Sequence, residues 1–233
     1  MKFGIIGAMD LEVNALKDKM DKAVITTISS VDFYSGKING VETVVATAGV
    51  GKVNAAICAQ TMILTFKPDI IINIGVAGGL SGEFEIGDIA VATAVVEHDM
   101  DTSPLGDPVG FISGMNKVYM DCDKELSDVL LEVANQIGEI KAIKGVIASG
   151  DQFISEDTAR NRIKSNFNAI TAEMEGASIG HVCTVNNVPF AVLRAISDGA
   201  NDGATMDYPT FAKSAAKNSV RIMLNVLEKY SNL

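Results

Sequence analysis

Four carboxylates and one guanidinium stand out in this 233-residue sequence because of where they fall relative to apolar runs. Glu12 lies on the first turn of a predicted helix, just past the opening apolar run 3–6. Asp198 follows a nearly unbroken apolar stretch, 190–196, and precedes Gly199. Glu173 and Glu175 flank Met174 at the head of a segment rich in small residues (Gly176, Ala177, Ser178, Gly180). Arg194 sits inside the apolar run that leads to Ser197 and Asp198. A guanidinium in a buried strand needs a carboxylate partner, and Glu12 or Glu175 would serve. On a helix, residues 173 and 175 point about 200° apart, so one of the two glutamates is expected to face solvent. Each acid also has a plainer reading. Glu12 suits a helix dipole, and Asp198 suits a turn or cap. Together, acids at strand exits point to acid–base chemistry on a neutral or cationic substrate. No Ser/His/Asp or Cys/His arrangement is visible that would build a nucleophilic triad.

The elements that must position these residues read as an alternating α/β pattern. Strands are predicted at 3–6, 31–38, 41–48, 69–75, 89–96, 144–149 and 188–196, and helices at 10–20, 51–66, 124–137, 157–165 and 173–185. A final helix begins at Pro209 and runs through Tyr230. Asn39-Gly40 is a two-residue hairpin signal, so the sheet is mixed. The run 70–74 is apolar throughout, as in a strand covered on both faces. We therefore expect a single α/β domain over residues 1–233, with a central mixed sheet flanked by helices in three layers. The longest irregular stretch, 99–116, contains Pro104, Leu105 and Gly106, and such loops are commonly functional or at an interface. Glycine clusters at 4–7, 49–52 and 75–79 lack the spacing of a dinucleotide or P-loop motif and read as tight strand exits. In sheets of this kind, ligands bind beyond the carboxyl ends of strands.

Charge and cysteine content narrow the class. Nineteen basic and 29 acidic residues leave a net charge of −10, and the first 159 residues contain no arginine. That is a poor footing for nucleic acid or an anionic membrane. Three scattered cysteines form no disulfide framework or C-x-x-C pair, which fits reduced thiols in a cytoplasmic protein. The 98–101 run, His98-Asp99-Met100-Asp101, has donors for a hard cation but no further ligand run, so a solvated loop is expected. No metal or redox cofactor is expected.

The motifs as a set resemble those of the bacterial 5′-methylthioadenosine/S-adenosylhomocysteine nucleosidases, over essentially the whole chain. The matching segments are the opening 4–12, Gly49-Val50-Gly51-Lys52-Val53-Asn54, Ile72-Asn73-Ile74-Gly75-Val76-Ala77-Gly78-Gly79, Ser149-Gly150-Asp151-Gln152-Phe153-Ile154, Glu173-Met174-Glu175-Gly176-Ala177 and Arg194-Ala195-Ile196-Ser197-Asp198. The resemblance implies that Glu12 activates water, Asp198 protonates adenine N7 and Glu175 holds the ribose hydroxyls with Met174 against the sugar. It implies that Phe153 stacks on adenine, that the Ile154 backbone reads the base edge, and that Arg194 orders the carboxylates. Met9, Val50 and Tyr208 would line the ribose and alkylthio ends, and Val76, Ala77, Gly78, Glu173 and Ser197 would complete the substrate site. A neighbouring subunit's loop near Leu105 would close the pocket of a homodimer. Val76 stands where many members of the family carry serine, which leaves Ser197 and backbone amides to orient Asp198. The implied reaction is hydrolysis of 5′-methylthioadenosine, S-adenosylhomocysteine and 5′-deoxyadenosine, serving methionine salvage. Aminodeoxyfutalosine hydrolysis and phosphorolysis on the same fold are the alternatives. With arginine absent from residues 1–159 and Arg194 facing acids, water is favoured over phosphate. A non-catalytic binding module has little need for buried acids.

Overall fold

The computed structural model describes residues 1–138, 140–198 and 208–231, with backbone alone at 208–210. The strands are β1 Lys2–Gly7, β2 Asp21–Ile28, β3 Val31–Ile38, β4 Val41–Thr47, β5 Ile70–Gly79, β6 Ile89–Glu97, β7 Met120–Asp121, β8 Ala142–Ser149, β9 Ala169–Glu173 and β10 Phe190–Asp198. The helices are α1 Asp10–Lys17, α2 Lys52–Phe66, α3 Lys124–Gln136, α4 Asp157–Phe167, α5 Gly176–Asn186 and α6 Tyr208–Ser231.

All these strands join one mixed sheet, in the order β10-β6-β8-β9-β5-β1-β4-β3-β2, with β7 on β6. β10 also pairs with β5, so β5, β10, β6, β8 and β9 close into a ring from which β1, β4, β3 and β2 extend. Alternate residues explain the layering. Phe3, Ile5, Ile72, Ile74 and Leu193 pack with α1, α3 and α6, while Ile6, Ile71, Val192 and Ile196 pack with α2 and α5. Both faces of the central strands are therefore apolar and covered, which is the three-layer arrangement expected.

The Asn39-Gly40 turn is as expected, with positive φ at both residues (50° and 81°). Several boundaries differ. β2 is an edge strand with exposed Val24 and Ile25, joined to β3 through Ser29-Ser30, both at positive φ. That turn lacks the Gly or Asn that marks such turns, so the strand carries no signal. β5 continues through Gly79 instead of turning at Gly75, because its small residues admit β9 and β10 alongside. Residues 169–173 form β9, and α5 starts only at Gly176, so Glu173 ends a strand and Glu175 is the helix N-cap. The three cysteines are buried and unpaired. Burial pushes the thiols of Cys58 and Cys183 up to about 12. The 98–101 segment is solvated only in part: Asp101 is exposed as expected, but His98 is buried and Asp99 is tied to Lys52 Nζ at 2.7 Å. No helix among the described residues is long and apolar enough to cross a membrane.

Candidate active site

A cleft of about 560 Å³, counted to its open mouth, lies where the carboxyl ends of β1, β5, β8, β9 and β10 converge. Its lining, apolar side chains with a few convergent acids, is that of a small-molecule site. Met9, Glu12, Val50, Val76, Ala77, Gly78, Phe153, Ile154, Glu173, Met174, Glu175, Ser197 and Asp198 all line it. They come from six separate stretches of chain, so the fold brings together what sequence distance separates.

Glu12 enters from the first turn of α1. Its Oε2 accepts hydrogen bonds from Ala8 N (2.7 Å) and Met9 N (2.9 Å), and its Oε1 from Val76 N (3.1 Å). The Met9 bond makes it a capping residue as well, so the plain reading and the functional one coexist. A Cβ at Gly75 would stand 2.7 Å from Glu12 Oε1, which is why that position has none. Burial raises the Glu12 carboxyl above its ordinary range, partly offset by Arg194 and the three amides.

Arg194 is almost fully buried and runs beneath the cleft. Its principal partner is Glu173, reached through Nη2 and, at 3.1 Å, through Nε. Nη2 also donates to Asn73 Oδ1 and lies 3.9 Å from Glu175 Oε2. Of the two expected partners, Glu175 is in ion-pair reach of Arg194 and Glu12 acts on it only through its charge, while the closer ion pair, with Glu173, was not expected. The expectation that one of Glu173 and Glu175 faces solvent is overturned, since each is 7% exposed. The 200° separation applies within a helix, and this helix begins after both residues.

The two glutamates differ in charge preference. Burial pushes Glu173 upward, but Arg194, the Ser149 hydroxyl and the Gly176 amide together hold it below the ordinary carboxylate range. Burial and repulsion from Glu173 push Glu175 up to about 7, against the pull of Arg194 and the Gly51 amide, which donates to Oε1 at 2.9 Å. One arginine cannot neutralise both acids equally, so proximity decides which is ionised.

Asp198 ends β10 just after a register irregularity opposite Ala77 and Gly78. Such an extra residue re-aims the side chains beyond it. Ser197 Oγ donates to Asp198 Oδ1 at 2.8 Å, so the hydroxyl expected to replace the missing serine side chain at Val76 is in contact. Burial raises the Asp198 carboxyl, with Ser197 and Arg160 pulling it back.

Among the described residues, two expected ones do not line the cleft. Arg194 lies under it. Leu105 is 84% exposed on a single 3-10 turn, Ser103–Leu105, and touches no part of it within this chain. Tyr208 opens α6, but its side chain lies outside the described residues. Residues that sequence reasoning missed are Ser149, Asn73 and Arg160. Ser149 bonds Glu173 and receives the Ala177 amide at 2.6 Å. Asn73 links Arg194 to the Ile6 carbonyl. Arg160 Nη2 lies 3.5 Å from Asp198 Oδ2. The arginine-free span ends one residue before it, so the count that left Arg194 as the sole relevant cation stopped just short. An asparagine inside the apolar run 70–74 was the available signal for Asn73.

Comparison with known proteins is consistent with this geometry. The phosphorylase superfamily model matches residues 2–228. A 5′-methylthioadenosine/S-adenosylhomocysteine nucleosidase from Halalkalibacterium halodurans is 40% identical over 227 residues, covering 97% of each chain. The crystal structure of the nucleosidase of that name from Neisseria meningitidis, in complex with methylthio-immucillin-A, superposes with a TM-score of 0.93 at 30% identity, covering 98% of this chain and 99% of that one. The futalosine hydrolase of Helicobacter pylori also superposes with a TM-score of 0.93, at 34% identity and 98% coverage of both chains. Matched over nearly its whole length in sequence and in fold, this chain belongs to the 5′-methylthioadenosine/S-adenosylhomocysteine nucleosidase family within the phosphorylase superfamily.

Proposed function

We propose that the protein hydrolyses the N-glycosidic bond of 5′-methylthioadenosine and S-adenosylhomocysteine, releasing adenine and the corresponding thioribose. The observation that carries this reading is the gathering of Glu12, Glu175 and Asp198, all with raised proton affinity, around one largely apolar cleft. Adenine is a poor leaving group as an anion. Asp198 therefore gives its proton to N7 as the C1′–N9 bond breaks, and neutral adenine leaves. The ribose carries the positive charge in an oxocarbenium-like state, which the nearby carboxylates stabilise. Water adds at C1′, and its proton passes to Glu12, whose raised affinity suits a base. Glu175 accepts the ribose hydroxyls, with Met174 against the sugar. Phe153, half-exposed at the mouth, stacks on the base, and the Ile154 backbone reads its edge. Met9 and Val50 face the ribose and alkylthio end, and 5′-deoxyadenosine fits the same contacts.

Water is preferred to phosphate because the guanidinium under the cleft is already taken up by Glu173, Asn73 and Glu175. We also read residues 1–233 as one domain acting as a homodimer in the cytoplasm. Exposed apolar side chains support the dimer: Val53, Ile57 and Leu64 of α2, Val185 of α5 and, on its own turn, Leu105 all stand uncovered. In that dimer the partner's loop around residue 105 closes the alkylthio end.

The test is release of free adenine from 5′-methylthioadenosine with and without phosphate. Release without phosphate is expected, and release only with phosphate overturns the hydrolase. The likeness to a futalosine hydrolase makes aminodeoxyfutalosine the second substrate to assay. Release from it alone would move the substrate assignment.

A further inference from the structure

Helix α4 presents three buried residues, Arg160, Ile163 and Phe167, at helical spacing along its inward stripe. Such a stripe is ordinarily apolar throughout. Here its first member is an arginine, only 6% exposed, and burial of a guanidinium is costly unless a carboxylate meets it. Among the described residues it meets the Asp198 carboxylate, with Nη2 at 3.5 Å from Oδ2. Ser197 occupies the other oxygen, Oδ1. A Cβ at Gly78 would stand 2.9 Å from Oδ2, so the absence of a side chain there leaves room for the carboxylate to lie between β5 and α4. The roles given above make no use of Arg160.

We infer that Arg160 is a positioning residue for the general acid: it fixes the Asp198 carboxyl against α4 and stabilises the carboxylate left behind when the proton moves to N7. This rests on the hydrolase reading proposed above. Burial by itself would make Asp198 a weak acid, reluctant to give up its proton. A guanidinium beside it restores acidity without supplying a competing proton, because arginine stays charged throughout. Among the described residues, the polar groups acting on Asp198 are Ser197 from its own strand and Arg160 from α4. No described residue of β5, β6, α3, α5 or α6 contributes a charged group there. Asp202 and Asp207 follow in the sequence, outside the described residues.

The experiment reads the acid directly. Protein carrying ¹³C at the aspartate carboxyl carbons is titrated by NMR, with Asp198→Asn identifying the resonance. In Arg160→Met the Asp198 midpoint is expected to rise by about one pH unit or more, and in Arg160→Lys to return most of the way. The basic limb of kcat/KM for adenine release should move up with it, while kcat falls about tenfold and KM changes little. An unchanged Asp198 midpoint in folded Arg160→Met, or in Arg160→Gln if the first variant does not fold, overturns the inference. A wild-type protein that releases no adenine overturns the hydrolase reading instead, and leaves the titration result standing.

Discussion

On the floor of the cleft Glu12, Glu173 and Glu175 surround a single buried arginine, whereas on its wall Asp198 has a separate arginine, delivered by a helix on the other side. The floor is a connected network. Both oxygens of Glu12 are held by backbone amides, and Glu173 is held by Arg194, Ser149 and the start of α5. On the wall, among the described residues, one hydroxyl and one guanidinium meet Asp198. The difference shows how four acids can share one cleft and keep different protonation. Glu173 takes the arginine's charge and stays ionised, which leaves Glu175 and Glu12 to be pushed upward by burial. Asp198 is removed from that network and is tuned on its own.

The largest test of this contrast is to break the floor. Arg194→Leu strands Glu173 as a buried unpaired charge and should cost about 3–5 kcal/mol in urea unfolding. Little folded protein is expected to remain at elevated temperature. On the wall, Asp198→Asn removes one acid from a loosely held position. It should lower kcat at least about 10²-fold while leaving unfolding free energy within about 1 kcal/mol. If Asp198→Asn proves as destabilising as Arg194→Leu, the floor and wall are not distinct.

A subtler break concerns Glu175. Its folded-state proton affinity, about 7, lies above the ordinary value of 4.5. The stabilisation from holding its proton is complete below the unfolded value and is lost as pH rises through 7. Glu175→Gln carries no such proton. It should abolish that slope and be more stable than the wild type at pH 8, on the order of 2 kcal/mol, while losing activity. Equal pH slopes in the two proteins would contradict the assignment. The smallest effect separates two glycines. An added Cβ meets Glu12 Oε1 at Gly75 and Asp198 Oδ2 at Gly78. Because Glu12 is anchored on both oxygens and cannot give way, Gly75→Ala should cost about 1–2 kcal/mol, and Gly78→Ala less. Thermal unfolding of the two variants beside Gly82→Ala, where a Cβ meets nothing within 4 Å, measures the difference.

Much of the fold was legible because apolar runs bounded by Gly and Pro mark covered strands. The central strands, α2 and α3 fall close to their predicted places. The exposed edge strand β2 and the five-residue β9 were not legible, since an edge strand has no buried face to pattern and a short strand leaves no period. Missing β9 had a chemical consequence. It turned Glu173 from the end of a strand into a helical residue, and so hid the closer partner of Arg194. Arg160 was hidden for a different reason. On a largely polar helix an inward arginine looks like any other surface charge.

What the sequence by itself determined is the set of chemical groups and their placement at element ends: Glu12 after β1, Asp198 after an apolar strand, and an arginine that demanded a carboxylate. Those follow from local rules of burial and periodicity. Which acid pairs with which arginine was decided by tertiary structure alone. Ion pairing depends on distances of a few ångströms between chain segments far apart in sequence. Here they are set by the closure of β10 onto β5, by the late start of α5 and by the packing of α4.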